Sequence, residues 1–357
     1  MRTTITTRSV AASGAVLALA LTGCASSDTG DAEGSSAETG SSTVTLVTHD
    51  SFALSDGLLD EFTAESGYDV ELVAPGDGGT LVNQLILTKD SPLGDAVFGV
   101  DNTYASRAVD EGVFDPYLSS ALPESAAAEV PAGESLTPVD RGDVCINADL
   151  AWFEENDLDV PTTLDDLADP AYQDLLVVTN PATSSPGLAF LLATVGAKGE
   201  HGWTDYWTAL ADNGVKIADG WEDAYYVDFT GAGGAGDRPL VLSYATSPAF
   251  TVTEDGSETT TTALLDTCFR QVEYAGVLAG AENPDGAREL VDFLVSRTVQ
   301  EDIPGQMYMY PVDGDAALPD EWARFAPLAD DPFDVDPAEI SAHRGDWIET
   351  WTATVLG

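Results

Sequence analysis

The chain has 357 residues, with 62 aspartates and glutamates against 13 lysines and arginines, and a formal net charge of −49. A protein this acidic cannot hold the phosphates of a nucleic acid, which excludes nucleic acid as a partner. The acidic residues are spread along the sequence, as expected of a solvated surface. The length is sufficient for two domains, each with its own core.

The first 23 residues have the parts of an export signal. Arg2 and Arg8 precede an apolar run at residues 10–21, and Cys24 follows the small-residue sequence Leu-Thr-Gly. This pattern resembles a bacterial lipobox, which implies cleavage before Cys24 and lipidation of its sulfur. An ordinary secretory signal is the alternative. The apolar run is too short to span a bilayer, so two acyl chains on Cys24 would provide the anchor.

Residues 24–42 consist almost entirely of Ser, Gly, Thr, Ala, Asp and Glu after the cysteine. Such a composition cannot bury a hydrophobic core, so this segment is predicted to be a flexible tether. The folded part is therefore expected to begin near Thr43, outside the cytoplasm and anchored to the cell membrane.

Cys145 and Cys268 are the cysteines that remain in the folded part. In an exported protein such an even pair predicts one disulfide, which here would join distant segments. The histidines, at positions 49, 201 and 343, are too scattered for a zinc site, and no CxxC spacing occurs. The sequence therefore predicts no metal and no cofactor.

From Thr43 onwards, short β-rich runs alternate with helical patterns. Strands are predicted at residues 44–48, 69–74 and 96–100. Each ends in a polar or glycine-rich turn, and these turns contain Asp50, Asp77 with Gly78, and Asp101. Such βαβ repetition predicts an α/β fold with a mainly parallel sheet, whose ligand edge lies at the turns.

The second half of the chain contains two longer β-rich runs, at residues 136–146 and 268–278. Between them, strands are predicted at residues 175–179, 215–218 and 240–242, and helices at residues 188–195 and 203–210. If both long strands cross between lobes, the chain forms one lobe from residues 43–138 plus 275–357 and a second from residues 139–274.

Aromatic side chains gather beside acidic ones around residue 220. A helix starting at Gly220 would point Trp221 and Tyr225 the same way, and Tyr244 leaves the apolar pattern where a buried strand ends. Aromatic faces with carboxylates suit a planar cation, because the ring face carries negative quadrupole density. Packing in a core is the alternative for these rings.

Two further helix starts are indicated by proline. Ser184 stands shortly before Pro186, a pattern that begins a helix and whose free hydroxyl and N–H groups also suit an anion. Pro248 is expected to open another helix, ahead of Phe250.

Several blocks of sequence, taken together and in order, resemble the thiamine-binding proteins of ABC importers. The blocks are residues 48–52, 72–78, 100–102, 184–188, 220–225, 242–249 and 310–312. The resemblance covers nearly all of residues 43–357. It implies a two-lobed type II solute-binding fold, each lobe a central mixed sheet flanked by helices, with a two-strand hinge that closes over thiamine or its phosphates.

The resemblance also implies roles for individual residues. Asp77 and Gly78 would meet the aminopyrimidine, whereas Ser184 and Trp221 would lie near the hydroxyethyl or phosphate end. The implied binding set is Asp50, Asp77, Gly78, Ser184, Trp221, Tyr225, Tyr244, Phe250 and Tyr308. Within it, Phe250 and Tyr308 stand where the family often has tyrosine and tryptophan, and His49, next to Asp50, replaces the family's usual tyrosine.

The implied function is capture and not catalysis, by a monomer that delivers its ligand to an ABC permease in the membrane. Three alternatives remain from the residues. Ferric-ion binding would use the Tyr225–Tyr226 pair, and polyamine binding would use the acidic and aromatic side chains. A lipid-anchored hydrolase would need paired carboxylates, and the chain has no Gly-x-Ser-x-Gly elbow.

Overall fold

The computed structural model of the protein describes residues 42–131, 133–233 and 235–357. The predicted export signal, the lipidation site Cys24 and the predicted tether as far as residue 41 lie outside the described residues. Within the described part, no helix has the length and apolar character needed to cross a membrane.

Strands and helices alternate along the described chain. The strands are β1 (Thr43–Val47), β2 (Asp69–Val73), β3 (Ala96–Asp101), β4 (Thr137–Asp149), β5 (Leu176–Thr179), β6 (Lys216–Ala218), β7 (Leu240–Tyr244), β8 (Thr261–Val277) and β9 (Tyr310–Pro311). The helices are α1 (Leu58–Ser66), α2 (Gly78–Leu87), α3 (Ala105–Asp110), α4 (Leu150–Glu155), α5 (Leu164–Leu167), α6 (Ser185–Asp212), α7 (Pro284–Leu294), α8 (Arg297–Gln306), α9 (Trp322–Phe325) and α10 (Pro337–Val355). Short 3₁₀ turns lie at Glu124–Glu129, Pro170–Tyr172 and Ser247–Phe250, and a π-helix at Asp223–Asp228.

The strands form one mixed sheet in the order β2-β1-β3-β8-β4-β7-β5-β6, with β9 paired to β4. Pairing is parallel within β2-β1-β3 and within β7-β5-β6. Every pair that involves β4 or β8 is antiparallel. The fold is therefore α/β with a mixed sheet, as the resemblance implied. The parallel pairing expected from the βαβ repetition is present among β1, β2 and β3, but it does not extend to the whole sheet because β4 and β8 run against their neighbours.

The two long strands that the sequence predicted are present as β4 and β8, and they lie side by side at the centre of the sheet. Their ladder changes register between Val144, opposite Phe269, and Ile146, opposite Leu264. Residues 265–268 consequently leave the ladder. A disulfide joins Cys145 to Cys268 at this irregularity, across a sequence separation of 123, which confirms the predicted pair.

The two faces of the sheet are packed differently. One face carries a continuous first core, built by α2, α3, α6 and α10 on strands from both halves of the chain. The other face carries two separate cores. The second core places α1, α7 and α8 against β1, β3 and β8, and the third core gathers Trp221, Tyr225 and Phe229 over β5 and β7.

Strand alternation explains this division, because successive side chains of a strand point to opposite faces. In β3, Val97 belongs to the first core and Phe98 to the second. In β5, Val178 belongs to the first core and Val177 to the third. Tyr244, at the end of β7, packs against all three cores and so marks the place where the second and third cores face each other.

The structure also bears on how individual helices begin. Helix α1 begins after Gly57, whose φ is 93°, and has no side-chain cap. The two helices predicted at residues 188–195 and 203–210 are both present within the range of α6, separated by a kink at Gly199, whose φ of 70° and ψ of 178° are not helical. After Thr246 the chain makes only a 3₁₀ turn, so Pro248 does not open an α-helix.

Candidate ligand-binding site

A cavity of about 260 Å³ lies beside Tyr244, between the second and third cores, and is called the central cavity below. Its wall is formed by turns that follow strands, which is where an open α/β sheet presents ligand-contacting groups. Its aromatic members are Phe52, Trp221, Tyr226, Tyr244 and Tyr308, and its acidic members are Asp50, Asp77, Glu222 and Glu273. His49, Ser185, Met307 and Met309 are among the remaining lining residues.

The structure brings six of the nine predicted binding residues to this cavity: Asp50, Asp77, Gly78, Trp221, Tyr244 and Tyr308. The other three, Ser184, Tyr225 and Phe250, lie behind lining residues. Four further residues line the cavity that were not in the predicted binding set: Ser185, Glu222, Tyr226 and Glu273. Each of them had one signal in the sequence. Ser185 follows a predicted contact residue, Glu222 follows Trp221, Tyr226 follows Tyr225, and Glu273 is an acidic residue in a long predicted strand.

Trp221 forms one aromatic wall and is held from two sides. Its indole N–H donates a hydrogen bond of 3.0 Å to Ser243 Oγ, and its ring stacks on Tyr225 with centroids 5.0 Å apart and an interplanar angle of 16°. The ring orientation of Trp221 is therefore set before any ligand arrives. Tyr225 is only 3% exposed, so it supports Trp221 and does not face the cavity.

Phe250 has a similar supporting position behind Tyr308, which packs against the third core. Its ring contacts Tyr308, and both line a neighbouring pocket with Tyr225 and Tyr226. Tyr308 has a φ of 63°, a left-handed conformation that is uncommon for a residue with a side chain. The chain thus turns sharply at Tyr308, and this turn brings the ring to the cavity edge.

Asp77 caps helix α2 and connects three segments of the chain. Its carboxylate accepts hydrogen bonds from the backbone N–H of Gly78, of Ser185 at 3.0 Å and of Trp221 at 2.9 Å. Burial raises the pKa of Asp77 above its ordinary value, although the N–H donors of Trp221 and Ser185 act in the opposite direction. Most of the carboxylate's accepting capacity is therefore occupied by the protein itself.

Two glycines permit the close approach of these segments. A Cβ on Gly78 would lie 2.1 Å from Ser185 Oγ. A Cβ on Gly79 would lie 2.7 Å from the carbonyl carbon of Thr183 and 2.7 Å from the Tyr104 hydroxyl. Any side chain here would push the start of α2 away from the loop before α6.

The sequence assigned both the start of a helix and the ligand-facing hydroxyl to Ser184. The structure divides these two roles between Ser184 and Ser185. Ser184 caps α6 by accepting from the Gly187 N–H, and its hydroxyl donates to Thr179 Oγ1 at 2.9 Å. Ser185, the next residue, lines the cavity and is 3% exposed. Its side chain also interacts with the Asp101 carboxylate, which ties the cavity wall to the turn before α3.

Acidic groups and His49 form the floor of the cavity. His49 Nε2 lies 3.5 Å from Glu273 Oε1. Burial disfavours the charged imidazolium, but the carboxylates of Glu273, Asp77 and Asp50 together outweigh it and raise the pKa of His49. Behind Glu273 lies Asp140, which is fully buried and whose pKa is raised well above its usual value by burial and by Glu273.

Asp101 was singled out from the sequence as part of the ligand edge. It accepts hydrogen bonds from the Thr103 N–H at 2.8 Å and from the Tyr104 N–H at 3.1 Å, and so organises the turn before α3. Burial raises its pKa to about 6. Asp101 does not line the central cavity. Across the described part of the chain, no group of His, Cys, Asp and Glu side chains is arranged to hold a metal ion.

Known proteins resemble this chain over most of its length. The chain is 30% identical over 321 residues to the thiamine-binding periplasmic protein of Escherichia coli (strain K12), which covers 87% of this chain and 93% of that protein. It is 27% identical over 279 residues to the thiamine-binding periplasmic protein of Haemophilus influenzae (strain ATCC 51907 / DSM 11121 / KW20 / Rd), covering 78% and 80%.

Solved structures show the same fold. A periplasmic thiamin binding protein superposes with a TM-score of 0.75 at 29% identity, covering 88% of this chain and 96% of that one. A ferric binding protein from Campylobacter jejuni superposes with a TM-score of 0.70 at 13% identity, covering 87% and 99%, which is a likeness of fold alone. The fold is thus the two-lobed type II periplasmic binding protein fold that the resemblance implied.

Residues 90–333 also match the family described as bacterial extracellular solute-binding protein. That match spans more than half of the chain and agrees with the Escherichia coli relative and with the fold. This chain therefore belongs to the family of bacterial extracellular solute-binding proteins.

Proposed function

We propose that this protein captures thiamine outside the cytoplasm and delivers it to an ABC importer. The observation that carries the proposal is the central cavity, whose aromatic and acidic side chains complement a flat, cationic ligand. Thiamine has a cationic thiazolium and a planar aminopyrimidine. The thiamine-binding names of the Escherichia coli relative and of the matching solved structure favour this ligand over other flat cations.

Within the proposed site, the contacts to thiamine come from Asp50, Trp221, Tyr244 and Tyr308. Tyr225 and Phe250 act through the rings of Trp221 and Tyr308, which they support. Ser185 replaces Ser184 as the hydroxyl that meets the ligand, since only Ser185 lines the cavity.

Capture proceeds by closure of two lobes, formed by residues 43–138 plus 275–357 and by residues 139–274. Strands β4 and β8 cross between them and serve as the hinge. The closed, ligand-bound form is the state that the permease recognises. The protein works as a monomer held to the membrane by lipidated Cys24, and it leaves thiamine chemically unchanged.

Calorimetric titration of the mature protein tests this function, with thiamine, spermidine and ferric citrate as separate ligands. Thiamine is expected to bind, and to change tryptophan fluorescence. Trp221→Ala is expected to weaken thiamine binding by at least about 1 kcal/mol, because it removes a stacking ring. Trp347→Ala, on α10 and outside the cavity lining, is the matched control and should keep wild-type affinity.

Two results would contradict the proposal. Binding of spermidine or iron without binding of thiamine would assign the cavity to one of the alternative ligands. Wild-type thiamine affinity in Trp221→Ala would show that Trp221 only packs in the third core and does not contact the ligand.

A further inference from the structure

We propose that His49 couples ligand binding to the release of a proton, so that the central cavity binds thiamine more tightly at neutral and alkaline pH than at acidic pH. The inference rests on the proposed function and adds a pH dependence to it. In this exchange the cationic thiazolium enters the cavity, the imidazolium of His49 loses its proton, and the buffer takes that proton up. One positive charge thus replaces another among the carboxylates of the lining.

The imidazole of His49 has a fixed place in the cavity wall. His49 lies just after β1, lines the central cavity, and has 12% of its side chain exposed. Its ring packs on Phe98, with centroids 5.5 Å apart, and on Gly99, where a Cβ would lie 2.2 Å from His49 Cδ2. Because the cavity has a volume of only about 260 Å³, a bound cation lies close to this ring.

The charged groups that face His49 come from four parts of the chain. Glu273 on β8 approaches Nε2 at 3.5 Å, and Asp50 belongs to the same turn as His49. Asp77 at the start of α2 and Glu222 ahead of the π-helix are the other carboxylates of the lining. No lysine or arginine of the described chain lines the cavity. The imidazolium is therefore the positive charge that a cationic ligand meets there.

Further titratable groups surround Glu273. In the sheet, Glu273 is paired with Asp101 of β3 and with Asp140 of β4. Burial raises the pKa of Asp101 to about 6, and burial with the charge of Glu273 raises that of Asp140 well above its ordinary value. Burial also raises the pKa of Tyr244 on β7, so this phenol stays neutral. Asp101 and Asp140 are thus the alternative sources of a released proton.

The sign of the coupling follows from the charges around His49. Burial lowers the pKa of His49, but the carboxylates of Glu273, Asp77 and Asp50 together outweigh burial and leave the pKa above its ordinary value. An imidazole without such neighbours titrates at about pH 6.5, so the ligand-free protein holds mostly imidazolium at that pH.

A cation bound among the same carboxylates repels the imidazolium, and the pKa of His49 is lower in the complex. Between the two pKa values the affinity for thiamine rises with pH. Below the lower one and above the higher one, the protonation state of His49 is the same with and without ligand, so the affinity is constant.

Calorimetry in two buffers of different ionisation enthalpy measures the proton released by the wild-type mature protein. At about pH 6.5, thiamine binding is expected to release about 0.3 to 1 proton. The association constant should rise at least about threefold between about pH 6 and about pH 8. Thiamine binding without proton release would overturn the coupling and leave thiamine capture standing, whereas no thiamine binding across this pH range would overturn both.

His49→Gln identifies the source of the proton. Glutamine is polar but does not titrate, so this variant should release at least about 0.3 proton fewer than wild type at about pH 6.5, and its affinity should depend less on pH. Protons from the ligand itself contribute equally to both proteins. Loss of packing alone would weaken binding equally at all pH values and leave the proton count unchanged.

His343→Gln is the matched control, because His343 is an exposed histidine on α10 outside the cavity lining. It should keep the proton release and the pH dependence of wild type. Wild-type proton release in His49→Gln would overturn the role of His49 and assign the proton to Asp101 or Asp140.

Nuclear magnetic resonance of the imidazole groups tests the same proposal without any variant. The chain has three histidines, at positions 49, 201 and 343, of which the last two are exposed. One of the three titration curves is expected to move to lower pH when the protein is saturated with thiamine, and the other two should stay in place. Three unmoved curves would overturn the proposal.

Discussion

Asp140 is a fully buried carboxyl group that has no hydrogen-bond donor within the described structure. Its pKa is raised well above the usual value by burial and by the charge of Glu273. A protonated Asp140 can donate a hydrogen bond to Glu273, whereas two ionised carboxylates in contact would repel each other. Burial beside Glu273 therefore favours the protonated form of Asp140.

Replacement of Asp140 by asparagine gives a prediction for stability against pH. The folded state binds more protons at Asp140 than the unfolded state, so this residue contributes stability at low pH and loses it as pH rises through the folded pKa. The melting temperature of Asp140→Asn minus that of wild type should therefore increase between about pH 4 and about pH 8.

The matched control for this change is Asp346→Asn, on the exposed part of α10. Its melting temperature relative to wild type should not vary with pH. A pH-independent difference for Asp140→Asn as well would show that Asp140 is ionised in the folded protein.

For single residues, the sequence predicted which residue types form the site more reliably than the direction in which each side chain points. Trp221 and Tyr244 face the cavity as expected. In two cases the cavity is lined by the residue that follows the predicted one: Ser185 lines it instead of Ser184, and Tyr226 instead of Tyr225. Each difference of one residue depends on where a helix begins. Ser184 is the cap of α6, and the π-helix at Asp223–Asp228 turns Tyr225 into the third core.

Among the elements, the start of α2 shows how closely segments distant in sequence are packed. The Thr80 N–H donates a hydrogen bond of 2.9 Å to the Thr183 carbonyl, and the Tyr104 hydroxyl donates one of 2.7 Å to the Pro181 carbonyl. Gly79 lies between these contacts, with no room for a Cβ. The loop before α6 is therefore fixed by α2 and by Tyr104.

Substitution of Gly79 by alanine is expected to lower the free energy of unfolding by about 1 to 3 kcal/mol, the usual range for overpacking. The added Cβ would press on the Thr183 backbone and the Tyr104 hydroxyl. Gly345→Ala is the control, because Gly345 lies in the exposed middle of α10 with open space around it. It should raise stability by about 0.5 to 1 kcal/mol. Denaturant unfolding measures both, and a stabilised Gly79→Ala would contradict the packing described.

The β-rich runs were the best predicted elements, since β4 and β8 were both recognised from their sequence. Their antiparallel pairing was not, because neighbours in a sheet depend on contacts between residues far apart in the chain. The irregular stretch at residues 265–268 was missed for the same reason. Its residues continue a β-rich pattern, and only the register shift and the disulfide to Cys145 reveal it.

For the molecule as a whole, the disulfide is the strongest constraint between distant segments. It closes a loop with a sequence separation of 123 and joins the two strands that cross the sheet centre. A bond closing so long a loop restricts the unfolded chain strongly. Cys145 and Cys268 are both fully buried, away from the cavity lining.

Replacement of both cysteines by serine should lower the free energy of unfolding by about 2 to 5 kcal/mol while thiamine affinity stays unchanged at a temperature where the variant is folded. Denaturant unfolding and calorimetry measure the two quantities. Alkylation of the unreduced wild-type protein under denaturing conditions should modify neither thiol, whereas modification of both in an intact-mass measurement would contradict the bond.

The hydrogen bonds at Asp77 also bear on how fast the protein can work. They tie a residue of one proposed lobe to Ser185 and Trp221 of the other, so in the proposed closure these bonds would break on opening and form again on closing. Association then becomes a gated process, whose observed rate levels off at the rate of opening as ligand concentration rises. Because the same bonds re-form over bound thiamine, a slow gate also prolongs the complex. The carrier thus holds its ligand during the diffusion that brings it to the permease.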